Sequence, residues 1–420
     1  MPSLFDKCNR FTTARDLQNA GTYPYFRPIS ESADTVVVID GEERIMMGSN
    51  NYLGLTHHPE VLGAAREALR RYGSGSTGSR LLNGTLDLHG ELERELAAFL
   101  GKDDCLVFST GYQANLGLIS TLVGRGDLVL LDKLDHASLL DGAKLSYGEA
   151  RRFRHGDLGE LAARLSQVAD GTGVLIAVDG VFSMDGDIAD LPGLAALARR
   201  HGAALAVDDA HALGVLGPQG QGTAGHYGMT GEVDLIVGTF SKALGSIGGY
   251  IAGDEHVVHF LRHQSRPLMF TASLPAVNTA GVLAALRVLR REPERRAALW
   301  RNTARLRDGL RAAGFDLGAT RTPIIPVLTG TPEATYRMWS RLFEAGVFTN
   351  PVVPPAVAAA GCRLRMTVTA THTDEQLDHV LDVFVRLSRE LLTGPEGLDG
   401  RDAADIEHSG VRTRPAPGMQ

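Results

Sequence analysis

Cysteine and long apolar runs are both scarce in this chain of 420 residues. The three cysteines, Cys8, Cys105 and Cys362, are far apart and lack metal-ligand spacing, which argues against a disulfide framework and against a zinc site. No apolar run approaches the roughly 18 residues of a membrane span, and the N-terminus lacks the apolar core of a signal peptide. We therefore expect a cytoplasmic protein with no integral membrane segment and no bound metal.

Basic charge is also in short supply. The net charge is -7, which argues against a general nucleic-acid binder because such proteins present a basic surface. With 44% hydrophobic and 22% charged residues, the chain has the composition of a globular protein. Only five lysines are present, so any chemistry that needs a lysine amine has five candidates: Lys7, Lys102, Lys133, Lys144 and Lys242.

Short apolar runs alternate with helical patterns between about residues 60 and 290. Six of these runs read as strands: CLVFS (105–109), LVLLD (128–132), VLIAVD (174–179), ALAVDD (204–209), LIVGT (235–239) and GGYIAG (248–253). Continuous apolar strands alternating with helices are typical of an α/β protein whose mostly parallel sheet is covered on both faces.

The remaining segments suggest a division of the chain. An N-terminal arm and a hairpin, whose turn is marked by Asp-Gly at 40–41, form residues 1–45. A large domain covers 46–290, and a strongly helical stretch at 274–314 leads into a small α+β domain over 291–392. Residues 393–420 are rich in Gly, Pro, Asp and Arg, and we expect them to form a disordered tail.

Polar residues follow five of the apolar runs, at the strand ends where open parallel sheets bind ligands. They are Thr110-Gly111-Tyr112, His136, Ser183, Asp208 with His211, and Thr239 with Lys242. A lysine can form a Schiff base with an aldehyde cofactor, a carboxylate can pair with the pyridine nitrogen of pyridoxal 5'-phosphate (PLP), and a helix N-terminus can hold its phosphate.

Each of these residues also has a purely structural explanation. A lysine in a glycine-rich loop is usually solvated, and an aspartate at a strand end commonly caps a helix. Asp208, however, ends a fully apolar run, and a buried carboxylate needs a cationic partner such as a protonated pyridine. The glycine-rich GSGSTGSRLLNGT (73–85) lacks a preceding strand, which argues against dinucleotide binding.

Nine ordered strings make the chain resemble the α-oxoamine synthases, which are fold-type I PLP enzymes. They are SNNYLGL (49–55), GSGSTGSRLLNGT (73–85), FSTGYQAN (108–115), DHASLLDG (135–142), DGVFSMDGDIADL (179–191), VDDAHALGVLGPQGQG (207–222), GTFSKALGSIGG (238–249), FTASLP (270–275) and LRMTVTATHT (364–373). The resemblance covers roughly residues 45–390. It implies a mostly parallel sheet in a large domain and a small α+β C-terminal domain.

The resemblance also implies roles around the cofactor ring. Lys242 would be the Schiff-base lysine and the base that removes the substrate Cα proton. His136 would stack on the ring, and Asp208 would pair with the pyridine nitrogen. His211 and Ser183 would lie near the phenolic oxygen.

Further positions follow for the phosphate of the cofactor. The residues implied to hold it are Thr110, Gly111, Tyr112 and Thr239. Thr271 and Ser273 would reach the phosphate of the other subunit, because the resemblance implies a homodimer with a shared active site.

The substrate carboxylate is implied to bind Arg365, helped by Asn50, and a guanidinium suits a carboxylate because it binds in a bidentate manner. One departure is visible: Asp179 stands where the family usually has Glu. The shorter acid keeps the charge and changes its reach, which puts its fine positioning in doubt.

The implied reaction is a decarboxylative Claisen condensation of an amino acid with an acyl thioester, giving an α-amino ketone. GTFSK, SRLLNGT and RPLMFTASLP are most similar to the soluble bacterial serine palmitoyltransferases, which implies L-serine, palmitoyl-CoA and a product such as 3-ketodihydrosphingosine.

Several alternatives remain open. They are a synthase that uses glycine or alanine, a secondary-metabolite enzyme that takes its acyl group from a carrier protein and, more distantly, a fold-type I aminotransferase. A non-catalytic partner subunit would normally lack Lys242.

Overall fold

The structure, a computed structural model, describes residues 3–393 and the side chains as far as Leu387, so nearly all of the predicted tail lies outside the described residues. Its strands are β1 (Glu31–Ala33), β2 (Val36–Ile39), β3 (Glu42–Met46), β4 (Asp104–Phe108), β5 (Leu128–Asp132), β6 (Glu149–Phe153), β7 (Val174–Asp179), β8 (Ala204–Asp208), β9 (Leu235–Thr239), β10 (Gly249–Gly253), β11 (Ile324–Leu328), β12 (Val347–Phe348), β13 (Asn350–Val352) and β14 (Arg363–Thr367).

Fifteen α-helices lie in the described range. They are α1 (Asp6–Asn9), α2 (Thr13–Asn19), α3 (Pro59–Tyr72), α4 (Asp87–Leu100), α5 (Gly111–Leu122), α6 (Ala137–Leu145), α7 (Leu158–Leu165), α8 (Leu191–His201), α9 (Thr223–Tyr227), α10 (Glu255–Gln264), α11 (Arg266–Met269), α12 (Ala276–Arg291), α13 (Pro293–Ala312), α14 (Pro332–Glu344) and α15 (Asp374–Thr393). None of these helices is long and apolar enough to cross a membrane.

A seven-stranded sheet in the order β4-β10-β9-β8-β7-β5-β6 forms the centre of the molecule. The pairs along β9-β8-β7-β5-β6 are parallel, and β10 is antiparallel to both of its neighbours. Every residue of β5 and β9 is buried, because helices cover both faces of the sheet. The mostly parallel sheet and the six strands expected from the sequence are confirmed within a residue of their predicted bounds.

Two smaller sheets accompany the central one. The expected hairpin is present as β2 and β3, and its turn residues Asp40 (φ 56°) and Gly41 (φ 81°) both adopt the left-handed conformation of a tight hairpin turn. This hairpin joins β1 and, in parallel, β12, which lies far along the chain. The third sheet, β11-β14-β13, is antiparallel.

The helical stretch expected at 274–314 consists of two helices, α12 and α13. Pro293 provides the first residue of α13 and has no backbone N–H to continue α12, so the first helix ends at Arg291. The domain boundary expected at residues 290–291 falls on the last residues of α12, and the division into domains stays a prediction.

Candidate active site

Five strand ends meet at one cavity of about 340 Å³ at the carboxyl edge of the central sheet. Most of the residues that the sequence singled out line it: Thr110, Gly111, Tyr112, His136, Ser183, Asp208, His211, Thr239 and Lys242. The parallel strands bring these side chains together because their carboxyl ends share one edge.

One end of the cavity is built to receive an anion. Helix α5 begins there at Gly111, and the Thr110 side chain caps it by accepting a hydrogen bond from the Gln113 N–H at 3.1 Å. The free N–H groups and the dipole of such a helix start attract phosphate. A Cβ on Gly111 would lie 2.7 Å from the Thr239 Cβ, so only glycine permits this close approach of helix and strand.

An acidic side chain that can attract a cation lies at the end of β8, where Asp208 is buried. Its Oδ1 accepts from the Ala210 N–H at 2.9 Å, and its Oδ2 accepts from the Asn115 Nδ2 at 2.6 Å. Asn115 was not among the predicted site residues. It follows Gly111 by four positions on α5, so helical spacing from the predicted phosphate residues was the signal that could have found it.

Lys242 lies in the same cavity, after β9. Burial lowers the pKa of its amine to about 8, although the nearby Asp208 and Asp179 carboxyl groups act in the opposite direction. A lysine with this pKa is partly neutral near physiological pH, which is the form that acts as a nucleophile or as a base.

His136 is the N-cap of α6 and lines the same cavity as Lys242. Its Nδ1 lies 2.7 Å from the Ser138 Oγ and accepts from the Ser138 N–H at 3.3 Å. Burial lowers the pKa of the imidazole, so the ring is favoured in its neutral form. A neutral ring that its contacts with Ser138 hold in place suits stacking on an aromatic cofactor.

Asp179, the departure from the family pattern, lines the cavity as well. Its Oδ2 accepts from the His136 N–H at 3.2 Å, while its own N–H donates to Asp135 Oδ1 at 2.9 Å. Burial and the neighbouring Asp208 and Asp135 raise the pKa of Asp179 well above its usual value. Because its Oδ2 reaches the His136 N–H, the shorter Asp179 side chain is long enough to hold the backbone at His136.

His211 has a partner that the sequence analysis did not identify. The Tyr52 hydroxyl lies 2.7 Å from His211 Nδ1, and both side chains are buried. Burial lowers the pKa of His211 well below its usual value, and the positive charges of Lys242 and Arg365 lower it further. Tyr52 belongs to the string SNNYLGL, which was recognised as a motif without a role being given to this residue.

Arg365 and Asn50 form a pair beside the cavity. Arg365 Nη2 donates to Asn50 Oδ1 at 3.1 Å, and Arg365 Nε donates to the Ser183 carbonyl at 2.6 Å. The guanidinium is buried, yet no acidic side chain of the described residues forms an ion pair with it. A buried cation without a counter-ion is unfavourable, so this position calls for an anionic ligand.

Thr271 and Ser273 do not line the cavity of their own chain. Thr271 Oγ1 accepts from Gln113 Nε2 at 3.2 Å, and Ser273 Oγ lies 2.6 Å from Ser76 Oγ. Both residues therefore lie beside the start of α5 and the glycine-rich loop. Their assignment to the phosphate of another subunit stays a prediction.

Comparisons with known proteins agree with this geometry. Residues 42–384 match the family model of class I and II aminotransferases. Serine palmitoyltransferase of Sphingobacterium spiritivorum is 46% identical over 387 residues, which cover 92% of this chain and 97% of that protein. The 8-amino-7-oxononanoate synthase of Exiguobacterium sibiricum is 42% identical over 380 residues, 90% of this chain and 97% of that protein.

Among solved structures, a high-resolution structure of SPT with PLP internal aldimine superposes with a TM-score of 0.91 and 39% identity. The match covers 93% of this chain and 99% of the other. Because the match covers 93% of this chain, it is not confined to the central sheet.

Proposed function

The chain belongs to the class I and II aminotransferase family, and from this membership we propose that it is a PLP-dependent α-oxoamine synthase that joins L-serine to a long-chain acyl thioester. Palmitoyl-CoA is the proposed acyl donor, and 3-ketodihydrosphingosine, carbon dioxide and free thiol are the proposed products. The observation that carries the proposal is the lysine amine with its lowered pKa, placed in one cavity with an anion-binding helix start and a buried carboxylate.

The residues present fit the cofactor. The cavity of about 340 Å³ is within the size range of small-molecule sites, and it offers complementary charge at two places. Thr110, Gly111, Tyr112 and Thr239 would hold the phosphate, and Asp208 would hold the protonated ring nitrogen. When bound, PLP supplies an aldehyde for amines and a ring that withdraws electrons from the amino-acid Cα.

The chain's own residues then carry out binding and proton transfer. Lys242 Nζ, neutral in part because its pKa is about 8, takes the proton from the Cα of the amino acid. Asp208 would pair with the ring nitrogen, and the hydrogen bonds from Asn115 and Ala210 hold its carboxyl group in place. His136 would cover the ring, and His211 and Ser183 would lie near its phenolic oxygen.

Arg365 binds the carboxylate of the amino acid, and Asn50 orients the guanidinium. This carboxylate supplies the counter-ion that the buried arginine lacks among the described residues. A guanidinium that is already held through Nε and Nη2 loses little freedom on binding, so it can fix the orientation of the Cα–H bond.

A second candidate is the alanine-using reaction of 8-amino-7-oxononanoate synthases, because such a relative is nearly as similar as the serine palmitoyltransferase. An acyl-carrier protein could replace coenzyme A, since both present the same thioester arm. We further propose a cytoplasmic homodimer with a shared active site, in which Thr271 and Ser273 approach the phosphate of the other subunit.

The proposal is tested by loading the purified protein with PLP and titrating it separately with serine, glycine and alanine. Borohydride reduction followed by peptide mass spectrometry should place the cofactor on Lys242. A saturable spectral change with serine, and product formation with palmitoyl-CoA, are the expected results. A response to alanine alone would favour the second candidate, and the absence of any cofactor absorption would contradict the proposal as a whole.

A further inference from the structure

His155, which was given no role above, is held between two carboxylates outside the cavity. Its Nδ1 lies 3.0 Å from Asp132 Oδ1, at the end of β5, and its Nε2 lies 3.0 Å from Asp187 Oδ2. Its ring also packs edge-on against Phe182, with ring centroids 4.4 Å apart. The imidazole therefore joins the end of the large sheet to the segment that follows β7.

Both ring nitrogens must donate for these contacts to form, because an ionised carboxylate only accepts hydrogen bonds. His155 is thus an imidazolium between two negative charges, and its hydrogen bonds to Asp132 and then to Asp187 raise its pKa to about 10. Asp132 is itself fixed in place by the N–H groups of Leu134 and Gly156. The imidazolium therefore has two partners. One is Asp132, which backbone N–H groups hold in place, and the other is Asp187 on the segment after β7.

That segment is the 181–188 hairpin, in which Val181 pairs with Ile188. Its backbone hydrogen bonds run from the Phe182 N–H to the Asp187 carbonyl at 3.1 Å and from the Gly186 N–H to the Phe182 carbonyl at 2.8 Å. The hairpin also carries the Ser183 carbonyl that accepts from Arg365 Nε.

Residues of the C-terminal region also hold the 181–188 hairpin through hydrogen bonds. Arg363 Nη1 donates to the Met184 carbonyl at 3.0 Å and to Asp185 Oδ1 at 2.6 Å, and the Thr322 hydroxyl donates to the Gly186 carbonyl at 2.9 Å. The 181–188 hairpin is thus held by His155 from the large sheet and by β14 and the segment before β11 from the C-terminal region. The position of the Ser183 carbonyl depends on both.

We propose that His155 is a positioning residue for amino-acid binding: by clamping the 181–188 hairpin to β5 through Asp132 and Asp187, it places the Ser183 carbonyl that orients Arg365 toward the substrate carboxylate. This inference rests on the proposed function, because it assumes that Arg365 binds that carboxylate. It assigns no chemical step to His155, which does not line the cavity.

The test compares His155→Gln with the parent enzyme in steady-state kinetics. Because the clamp acts on the carboxylate site, we expect the KM for serine to rise about tenfold, with kcat and the KM for the acyl thioester changed by less than about twofold. Asp187→Asn, which removes one charge and keeps an acceptor for Nε2, should raise the KM for serine by about threefold. Asp187→Asn tests the same contact if His155→Gln does not fold.

Lys102→Met is the matched control. Lys102 is likewise a partly buried cation that joins two segments, since its Nζ donates to the Thr230 carbonyl at 2.9 Å and to the Val233 carbonyl. These contacts lie before the starts of β4 and β9, at the edge of the sheet opposite the cavity. This variant should lose thermal stability and keep the parent KM for serine. If Lys102→Met and His155→Gln raise that KM equally, the positioning role is wrong.

Hydrogen–deuterium exchange of the cofactor-free protein gives a readout that does not depend on activity. Peptides covering residues 181–188 should exchange faster in His155→Gln than in the parent and should be unchanged in Lys102→Met. Unchanged exchange in His155→Gln would overturn the clamp. If instead the parent enzyme fails to turn over serine, the proposed function fails, and the exchange result still decides whether His155 holds the hairpin.

Discussion

Two buried clusters of charged side chains lie beside the central sheet, and their carboxyl groups are neutralised differently. At one cluster, Glu93 accepts from Arg80 at 2.7 and 3.1 Å, from Arg262 at 3.1 Å and from the Val107 N–H at 2.9 Å. At the other cluster, Asp208 and Asp179 line the cavity with Lys242, and Asp135 lies next to Asp179, so three carboxyl groups are close to one lysine.

The pKa values show the consequence of this difference. Burial alone would raise the pKa of Glu93, yet Arg80 and Arg262 outweigh it and leave that pKa below its usual value. Burial raises the pKa of Asp179, and the neighbouring carboxyl groups Asp208 and Asp135 raise it further. A cluster that supplies its own cations stabilises the fold, whereas a cluster short of positive charge is prepared for a cationic ligand.

Lys242→Ala should have the largest effect, and it acts on the cluster at the cavity. This change removes the one lysine amine among the described residues that line the cavity, so we expect turnover to fall by more than about a thousandfold while the free energy of unfolding changes little. Steady-state turnover and borohydride trapping followed by mass spectrometry measure the effect. Normal activity in this variant would refute the assignment of Lys242.

Glu93→Gln breaks the structural cluster instead. It leaves Arg80 buried without its carboxylate, so we expect the free energy of unfolding to fall by about 3–5 kcal/mol. Activity per folded molecule should stay within about twofold of the parent. Denaturant unfolding measures the loss of stability, and active-site titration measures the activity per folded molecule. An unchanged denaturation midpoint would show that burial of the two arginines does not require the Glu93 carboxylate.

Asn115→Ala sharpens the comparison at the Asp208 carboxylate. It removes the 2.6 Å hydrogen bond to Asp208 Oδ2, and we expect turnover to fall about tenfold because a hydrogen bond to a charged group contributes about 1.5–3 kcal/mol.

Asn302→Ala is its control. Asn302 is another buried amide, whose Nδ2 donates to backbone carbonyls that include that of His372 at 2.9 Å. We expect this variant to lose stability and to retain its turnover per folded molecule. Equal losses of turnover in the two variants would contradict a specific role for Asn115.

The smallest expected effect concerns pH. Burial lowers the pKa of Lys242 to about 8, and only the neutral amine attacks an aldehyde, so the rate at which apoprotein takes up PLP should rise with pH and level off above about pH 8. Stopped-flow absorbance measures this rate. A rise that continues toward pH 10.5, the ordinary value for lysine, would mean that the amine is not desolvated.

Local signals in the sequence predicted much of the fold and most of the cavity. The fully apolar runs predicted β5, β7 and β9 because a strand covered on both faces must be apolar throughout. They did not predict β1, whose three residues are exposed and were assigned to the N-terminal arm, because no burial pattern marks them. They also did not predict that β12 would join the N-terminal hairpin, because that pairing links distant parts of the chain.

The amino-acid sequence by itself determined which residue types stand at the strand ends that line the cavity, because lysine, aspartate and histidine at strand ends, and a glycine at a helix start, are local features. Only the tertiary structure decided what each of them touches. The contacts of Asn115 with Asp208, of Arg365 with Asn50 and of His155 with Asp187 all join residues far apart in the chain. Such contacts depend on the order of strands in the sheet, and local pattern does not specify that order.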